Sequence, residues 1–289
     1  MSHTARPGVA RAALAICLVV ATGACSSASS SNADPTADST AGSSSAAPSA
    51  ESSSTPASPA ATGWTLVGLG DSFTKTQDSS GKTYLDLFAA ELSDQTGTTV
   101  TVDDRSDDAS TSDGLADRLA NDAATKEAVA AADIVLVSVG GNDSDPFGVY
   151  PPGTCAPDQA QRKCLQTYAP RFAANYHSIL DAITTLRAGR PTAIRVTSAD
   201  NPFVGWSEAP DPGFGVRFYR QVAEAETAAA CRIAKANGAL CVDYLHIFGG
   251  PDGTQDPKPY LASDHAHPGD KGIRAIADEL ARIGVPELS

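Results

Sequence analysis

Basic side chains are scarce. The 289 residues hold 21 Lys and Arg against 34 Asp and Glu, a formal charge of −13, and no block rich in Lys or Arg interrupts that balance. Binding nucleic acid calls for such a block, so no nucleic-acid partner is expected. Aromatic residues make up only 6% of the chain and methionine occurs once, at Met1, so nothing suggests a wide lipid-binding surface. Long apolar runs are missing as well. The one near an end, Ala12 to Ala21, has ten residues, about half of the ~20 that a bilayer-spanning helix needs. What is present, 42% hydrophobic residues, suffices for one globular domain of roughly 200 residues.

The short apolar run reads as an address. Arg6 and Arg11 come before it and Thr22-Gly23-Ala24-Cys25 after it, the charged, apolar and small-residue regions of a secretory signal over residues 1–24. A cysteine directly after the small residues resembles a bacterial lipobox, with Cys25 as the lipid-modified first residue, although Thr22 stands where leucine is usual. The alternative is ordinary signal cleavage nearby. From residue 26 to residue 62 all but five residues are Ser, Ala, Thr or Pro. With no large apolar side chain to bury, residues 25–62 are expected to be a disordered linker. The protein is thus expected to be exported, as a cell-envelope lipoprotein or a secreted form, touching a membrane only through the lipid.

Cysteine use agrees with export. Cys17 falls in the signal and Cys25 at the lipobox, leaving Cys155, Cys164, Cys231 and Cys241 for the domain. Four cysteines allow three pairings; the short separations favour Cys155 with Cys164 and Cys231 with Cys241. No CxxC spacing points to zinc or redox chemistry.

From residue 63 to residue 289 short β-branched runs alternate with segments of helical period, the pattern of βαβ units and a parallel sheet. Strands are expected at Thr65 to Leu69, Thr99 to Val102, Ile134 to Val139, Ala193 to Thr197 and Leu240 to Val242. Helices are expected near Thr83 to Leu92, Leu115 to Ala120, Lys126 to Ala131, Ala169 to Leu186, Val216 to Asn237 and Lys271 to Ile283. Asn142 to Tyr168 and Asp200 to Gly215 read as loops at the carboxyl ends of the third and fourth strands, where α/β sheets place their ligands. Phe147, Tyr150, Phe203 and Trp206 in those loops either line a cleft or anchor the loops to the body.

The first strand ends in Gly68-Leu69-Gly70-Asp71-Ser72-Phe73. Phe73 stands where a dinucleotide fingerprint needs glycine, Thr76 where a phosphate-binding loop ending in Gly81-Lys82-Thr83 would need one, and Thr74 where a GxSxG elbow would. What remains is a serine at the carboxyl end of a parallel strand. A serine hydroxyl needs a base to become a nucleophile. Asp264-His265-Ala266-His267 offers one, with a carboxylate three residues before His267 to orient the imidazole. Gly140-Gly141-Asn142-Asp143 follows the third strand and offers an amide to an oxyanion. Asp71 and Asp143 read as turn residues, and His177 and His246 as structural or exposed.

Taken in order, Gly70-Asp71-Ser72, Gly141-Asn142-Asp143 and Asp264 to His267 resemble the SGNH/GDSL hydrolase family over residues 63–289. The resemblance implies a three-layer α/β/α sandwich with a five-stranded parallel sheet, flavodoxin-like in order. It implies Ser72 as nucleophile, His267 as general base and then acid, and Asp264 as the residue that orients His267. It also implies an oxyanion hole built from the Ser72 N–H, the Asn142 side chain and a glycine N–H after the second strand. That glycine is Asp108 here. Its N–H remains a donor, but its carboxylate would repel an oxyanion unless turned away. Gly114, a possible substitute, reads better as the start of a helix.

The expected function is hydrolysis of carboxylic esters, short-chain or envelope acyl esters of a small-molecule, lipid or glycan substrate, by a monomer without a cofactor. An acyltransferase would use the same residues with a sugar hydroxyl as acceptor. A glycan-binding lipoprotein without turnover finds its one support in Asp108. Metal binding by His265, His267 and Asp264 is a third alternative.

Overall fold

The five β-branched runs form one parallel sheet. The computed structural model describes residues 63–144, 161–207 and 218–288. Its strands are β1 (Gly63–Gly70), β2 (Thr99–Asp104), β3 (Ile134–Ser138), β4 (Ala193–Thr197) and β5 (Leu240–Val242), ordered β2-β1-β3-β4-β5. Every pairing is parallel. This is the expected flavodoxin-like order, which reverses direction between β1 and β3 and so opens a crevice at their carboxyl ends. The helices are α1 (Ser72–Lys75), α2 (Tyr84–Thr96), α3 (Ser112–Asn121), α4 (Ala123–Ala131), α5 (Gln161–Arg187), α6 (Arg220–Ala236), α7 (Tyr244–Gly249) and α8 (Asp270–Ile283).

Side chains alternate across the sheet and feed two cores. Val67, Leu69, Val135 and Val137 join the core under α3, α4, α5 and α6. Leu66, Ile134 and Leu136 join the opposite one, under α2, α7 and α8. Ile273, Ile276, Ala277 and Leu280 of α8 are fully buried there, at the helical spacing that the sequence shows. That burial fixes the start of α8, and with it the loop carrying His267.

Several boundaries differ from expectation. Helices α3 and α4 begin earlier, at Ser112 and Ala123, because Thr111 and Asp122 cap them through bonds to the N–H groups of Gly114 and Thr125. The segment expected to be a loop up to Tyr168 is helical from Gln161, and α5 runs through Pro170. Tyr168 and Phe172 are buried on either side of that proline, so tertiary packing outweighs the break it would otherwise make. The pairing of Cys231 with Cys241 is formed, tying α6 to β5. The signal, the Cys25 anchor and the linker lie outside the described residues. So do Phe147, Tyr150, Cys155, the Cys164 side chain and Val216.

Candidate active site

The turn from β1 into α1 is tight. A Cβ on Gly70 would come within 2.0 Å of Thr74 Oγ1, so only glycine allows the strand to pass directly into the helix. Asp71 caps α1 by accepting from the Phe73 N–H at 3.0 Å, and Ser72 takes the first helical position. The Ser72 N–H therefore lies in the first turn, where no intrahelical acceptor exists. Beneath it, Thr74 shares a 2.8 Å hydrogen bond with Tyr84 of α2, and Phe73 stacks on Tyr244 at 5.4 Å.

Asp264 and His267 lie in a loop closed by an antiparallel bridge between Leu261 and Pro268. The N–H groups of Ala266 and His267 both donate to Asp264 Oδ1 at 3.0 Å, leaving Oδ2 2.8 Å from His267 Nδ1. His267 Nε2 is 2.9 Å from Ser72 Oγ. Three residues separated by almost the whole domain thus form one hydrogen-bonded line. Partial burial pushes the Asp264 carboxyl up, but the two N–H donors and the imidazole outweigh it and hold it below its usual range.

Asn142 occupies a turn in which the Asp143 N–H donates to Gly140 O. Its Nδ2 donates to Ser110 O at 3.0 Å and, more weakly, to Asp71 Oδ2 at 3.3 Å. Asp71 is thereby both cap and neighbour of the oxyanion candidate, and burial raises its carboxyl to about 7. Asp143 accepts from the Ser112 N–H at 2.7 Å and from the Ser112 hydroxyl; burial raises it to about 6.

Asp108 sits in a turn that bonds the Ser110 N–H to Asp107 O at 3.0 Å, with Ala109 at φ 62°. Its carboxylate, 70% exposed, pairs with Lys75 Nζ at 3.0 Å, so the charge that threatened an oxyanion is solvated and offset. The Asp108 N–H meets no acceptor among the described residues. Gly114, by contrast, spends its N–H on Thr111 Oγ1 as part of the α3 cap.

His265 does not point to a metal centre. Its ring stacks on Trp206 at 4.9 Å and 2°, while both nitrogens of His267 are engaged. Trp206 packs in turn on Phe203, which is buried against Tyr219, so Phe203 anchors its loop and Trp206 braces the loop of His267. His177 and His246 are exposed, the latter bonded to Asp243. Sequence reasoning missed Lys75, the Trp206 brace, the half-buried Asp200 and the buried Glu226. Only Glu226 left a signal: it falls in register with Val222, Ala229, Ala230 and Ile233 on the apolar stripe of α6.

A family model described as GDSL-like lipase/acylhydrolase matches residues 69–275. None of the curated proteins matches significantly. Among solved structures, a lipase from a goat rumen metagenome is similar with a TM-score of 0.64 at 17% identity, over 78% of this chain and 100% of its own. A variant of an acetyl xylan esterase from Geobacillus stearothermophilus follows with a TM-score of 0.55 at 19% identity, over 78% and 96%. A lipase/acylhydrolase from Enterococcus faecalis has a TM-score of 0.51 at 14% identity, over 76% and 94%.

Proposed function

The chain belongs to the GDSL-like lipase/acylhydrolase family and is a carboxylic ester hydrolase, and we propose that it works through an acyl-enzyme on Ser72. The observation that carries this reading is the 2.9 Å approach of His267 Nε2 to Ser72 Oγ, with Nδ1 held by Asp264. The Asp264 carboxylate keeps the Nδ1 proton in place, so Nε2 is the nitrogen free to accept.

Ser72 Oγ attacks the ester carbonyl while its proton passes to His267 Nε2. The carbonyl oxygen becomes an oxyanion, stabilised by the N–H groups of Ser72 and Asp108 and by the Asn142 amide. Of the Asn142 bonds to Ser110 O at 3.0 Å and to Asp71 at 3.3 Å, the second is the weaker and the one that yields to the oxyanion. The tetrahedral species collapses, the C–O bond to the alcohol breaks, and His267 gives its proton to the departing oxygen. Water then repeats the sequence, losing a proton to His267 and releasing the acid and Ser72.

The substrates are short-chain or envelope acyl esters, met outside the cytoplasm by a monomer tethered through Cys25. The signal-like residues 1–24 and the Ser/Ala/Thr/Pro-rich segment after them support that location. No cofactor takes part. In Ser72→Ala and His267→Ala, kcat on a short p-nitrophenyl ester is expected to fall by about 10³-fold or more, with the near-UV circular dichroism unchanged. Turnover retained in a pure Ser72→Ala preparation would overturn the reading.

A further inference from the structure

The loop of the general base is anchored at its ends and open between them. Leu261 and Pro268 are buried, but the side chains of Asp264 and His267 are 52% and 34% exposed. Burial therefore does little to keep His267 Nε2 at 2.9 Å from Ser72 Oγ. A displacement of about 1 Å at such a contact costs on the order of 10²-fold in rate, so the restraint has to come from within the loop.

His265, in the middle of that loop, sits against its own backbone preference. Its φ of 57° lies in the left-handed region, which glycine adopts freely and a residue with a Cβ rarely does. A side chain held there points to a use for its ring. That ring lies flat on Trp206, with centroids 4.9 Å apart and planes 2° from parallel. Trp206 is fixed from behind. It closes a turn in which its N–H donates to Phe203 O at 3.2 Å, and Gly205 takes φ 73° there, so close to Asp256 that a Cβ would fall 2.5 Å from its carboxyl group. Phe203 stacks on Trp206 at 5.8 Å and meets Tyr219 edge-on at 5.2 Å, and both Phe203 and Tyr219 are buried. The Tyr219 hydroxyl shares a 3.1 Å bond with Ser144 Oγ, which donates to Gly141 O at 3.3 Å in the turn of Asn142. A row of four rings thus runs from the oxyanion turn to the loop of His267.

At the loop the stack acts over a short distance. Asp264 Oδ1 accepts from the N–H groups of Ala266 and His267, the two residues after His265, which ties Asp264 to His267 into one turn. A ring fixed in that turn fixes the imidazole two residues on. We propose that His265 and Trp206 are positioning residues, whose stack, footed on Phe203 and Tyr219, holds the His267 imidazole in line with Ser72 and with the leaving alcohol. His265 acts through the face of its ring and moves no proton. The proposal rests on the reading of His267 as general base and acid.

Four substitutions in the full chain separate the ring from the backbone. His265→Asn keeps a residue that tolerates the left-handed region and removes the ring, whereas His265→Gly removes the ring and the backbone cost together. Trp206→Leu removes the other ring, and Trp206→Phe restores an aromatic face. In His265→Asn, His265→Gly and Trp206→Leu, kcat/KM on ethyl butanoate is expected to fall by about tenfold or more, and Trp206→Phe should recover most of it. The melting temperature should hold in both His265 variants, which keep the test open if Trp206→Leu fails to fold. Ethoxide needs a proton as it leaves and p-nitrophenoxide does not, so the loss should be smaller on p-nitrophenyl butanoate, a split that general loosening of the fold would not produce. Full activity in His265→Asn and His265→Gly, or equal losses on the two esters, overturns the proposal while a His267→Ala protein that is inactive beside them leaves the reading of His267 standing. A His267→Ala protein as active as the unaltered one overturns that reading instead, and the positioning role with it.

Discussion

Asp264 and Asp200 are both aspartates near the carboxyl edge of one sheet, yet they are driven in opposite directions. Asp264 is held below the usual carboxylate range, whereas burial pushes Asp200 up to about 7. The difference is in the donors. Oδ1 of Asp264 takes two backbone N–H groups and Oδ2 faces the imidazole, while Oδ2 of Asp200 is buried with nothing to accept from. Burial acts upward on both; hydrogen-bond donors decide which one stays ionised. On one side of Ser72 the fold therefore keeps a fixed negative charge for His267, and on the other it collects acids that burial favours as neutral.

Breaking the ionised side has the largest expected effect. Asp264→Asn should lower kcat by about 10³-fold or more, because the carboxamide no longer holds the Nδ1 proton and the useful tautomer is lost. Steady-state kinetics beside a thermal melt check this, with the melting temperature nearly unchanged since Asp264 is an exposed loop residue.

Altering the buried side should change stability instead. Below about pH 4 Asp200 is protonated in both folded and unfolded chains. As pH rises, the unfolded chain ionises near 3.8 while the folded one holds its proton to about 7, so stability falls across that window and levels off above it. Asp71 and Asp143, raised to about 7 and about 6, add to the same decline. Asp200→Asn should raise stability at pH 7.5 relative to pH 4.5 by on the order of 1–3 kcal/mol, read from urea unfolding at the two values. An unaltered pH dependence would mean that Asp200 is not held neutral.

Asp108 sharpens the comparison as a third case, a carboxylate left charged but solvated and paired. Lys75→Ala removes its partner and should cost only a few-fold in kcat, the loss shrinking as salt screens the exposed charge. Kinetics at two ionic strengths would test it.

Much of this contrast was legible in the sequence on the ionised side and little on the buried one. Gly70-Asp71-Ser72 at a strand end and Asp264 to His267 before the last helix are local patterns, and short runs such as Ala193 to Thr197 coincide with their strands residue for residue. The caps Thr111 and Asp122 are not announced by the apolar period, which starts after them, nor is the start of α5, whose first turns are polar and whose Pro170 reads as a break. The Lys75–Asp108 pair and the Trp206–His265 stack are long-range contacts, and Asp200 and Glu226 line one cavity from distant parts of the chain, with no periodicity to announce any of them.

The central claim is that Ser72 is an activated nucleophile. Its most direct test is the intact mass of the protein before and after a fluorophosphonate, followed by peptide mapping. One stoichiometric adduct on Ser72, formed far more slowly in His267→Ala and Asp264→Asn, is the predicted result. An unlabelled protein at neutral pH, or an adduct that maps elsewhere, would contradict it.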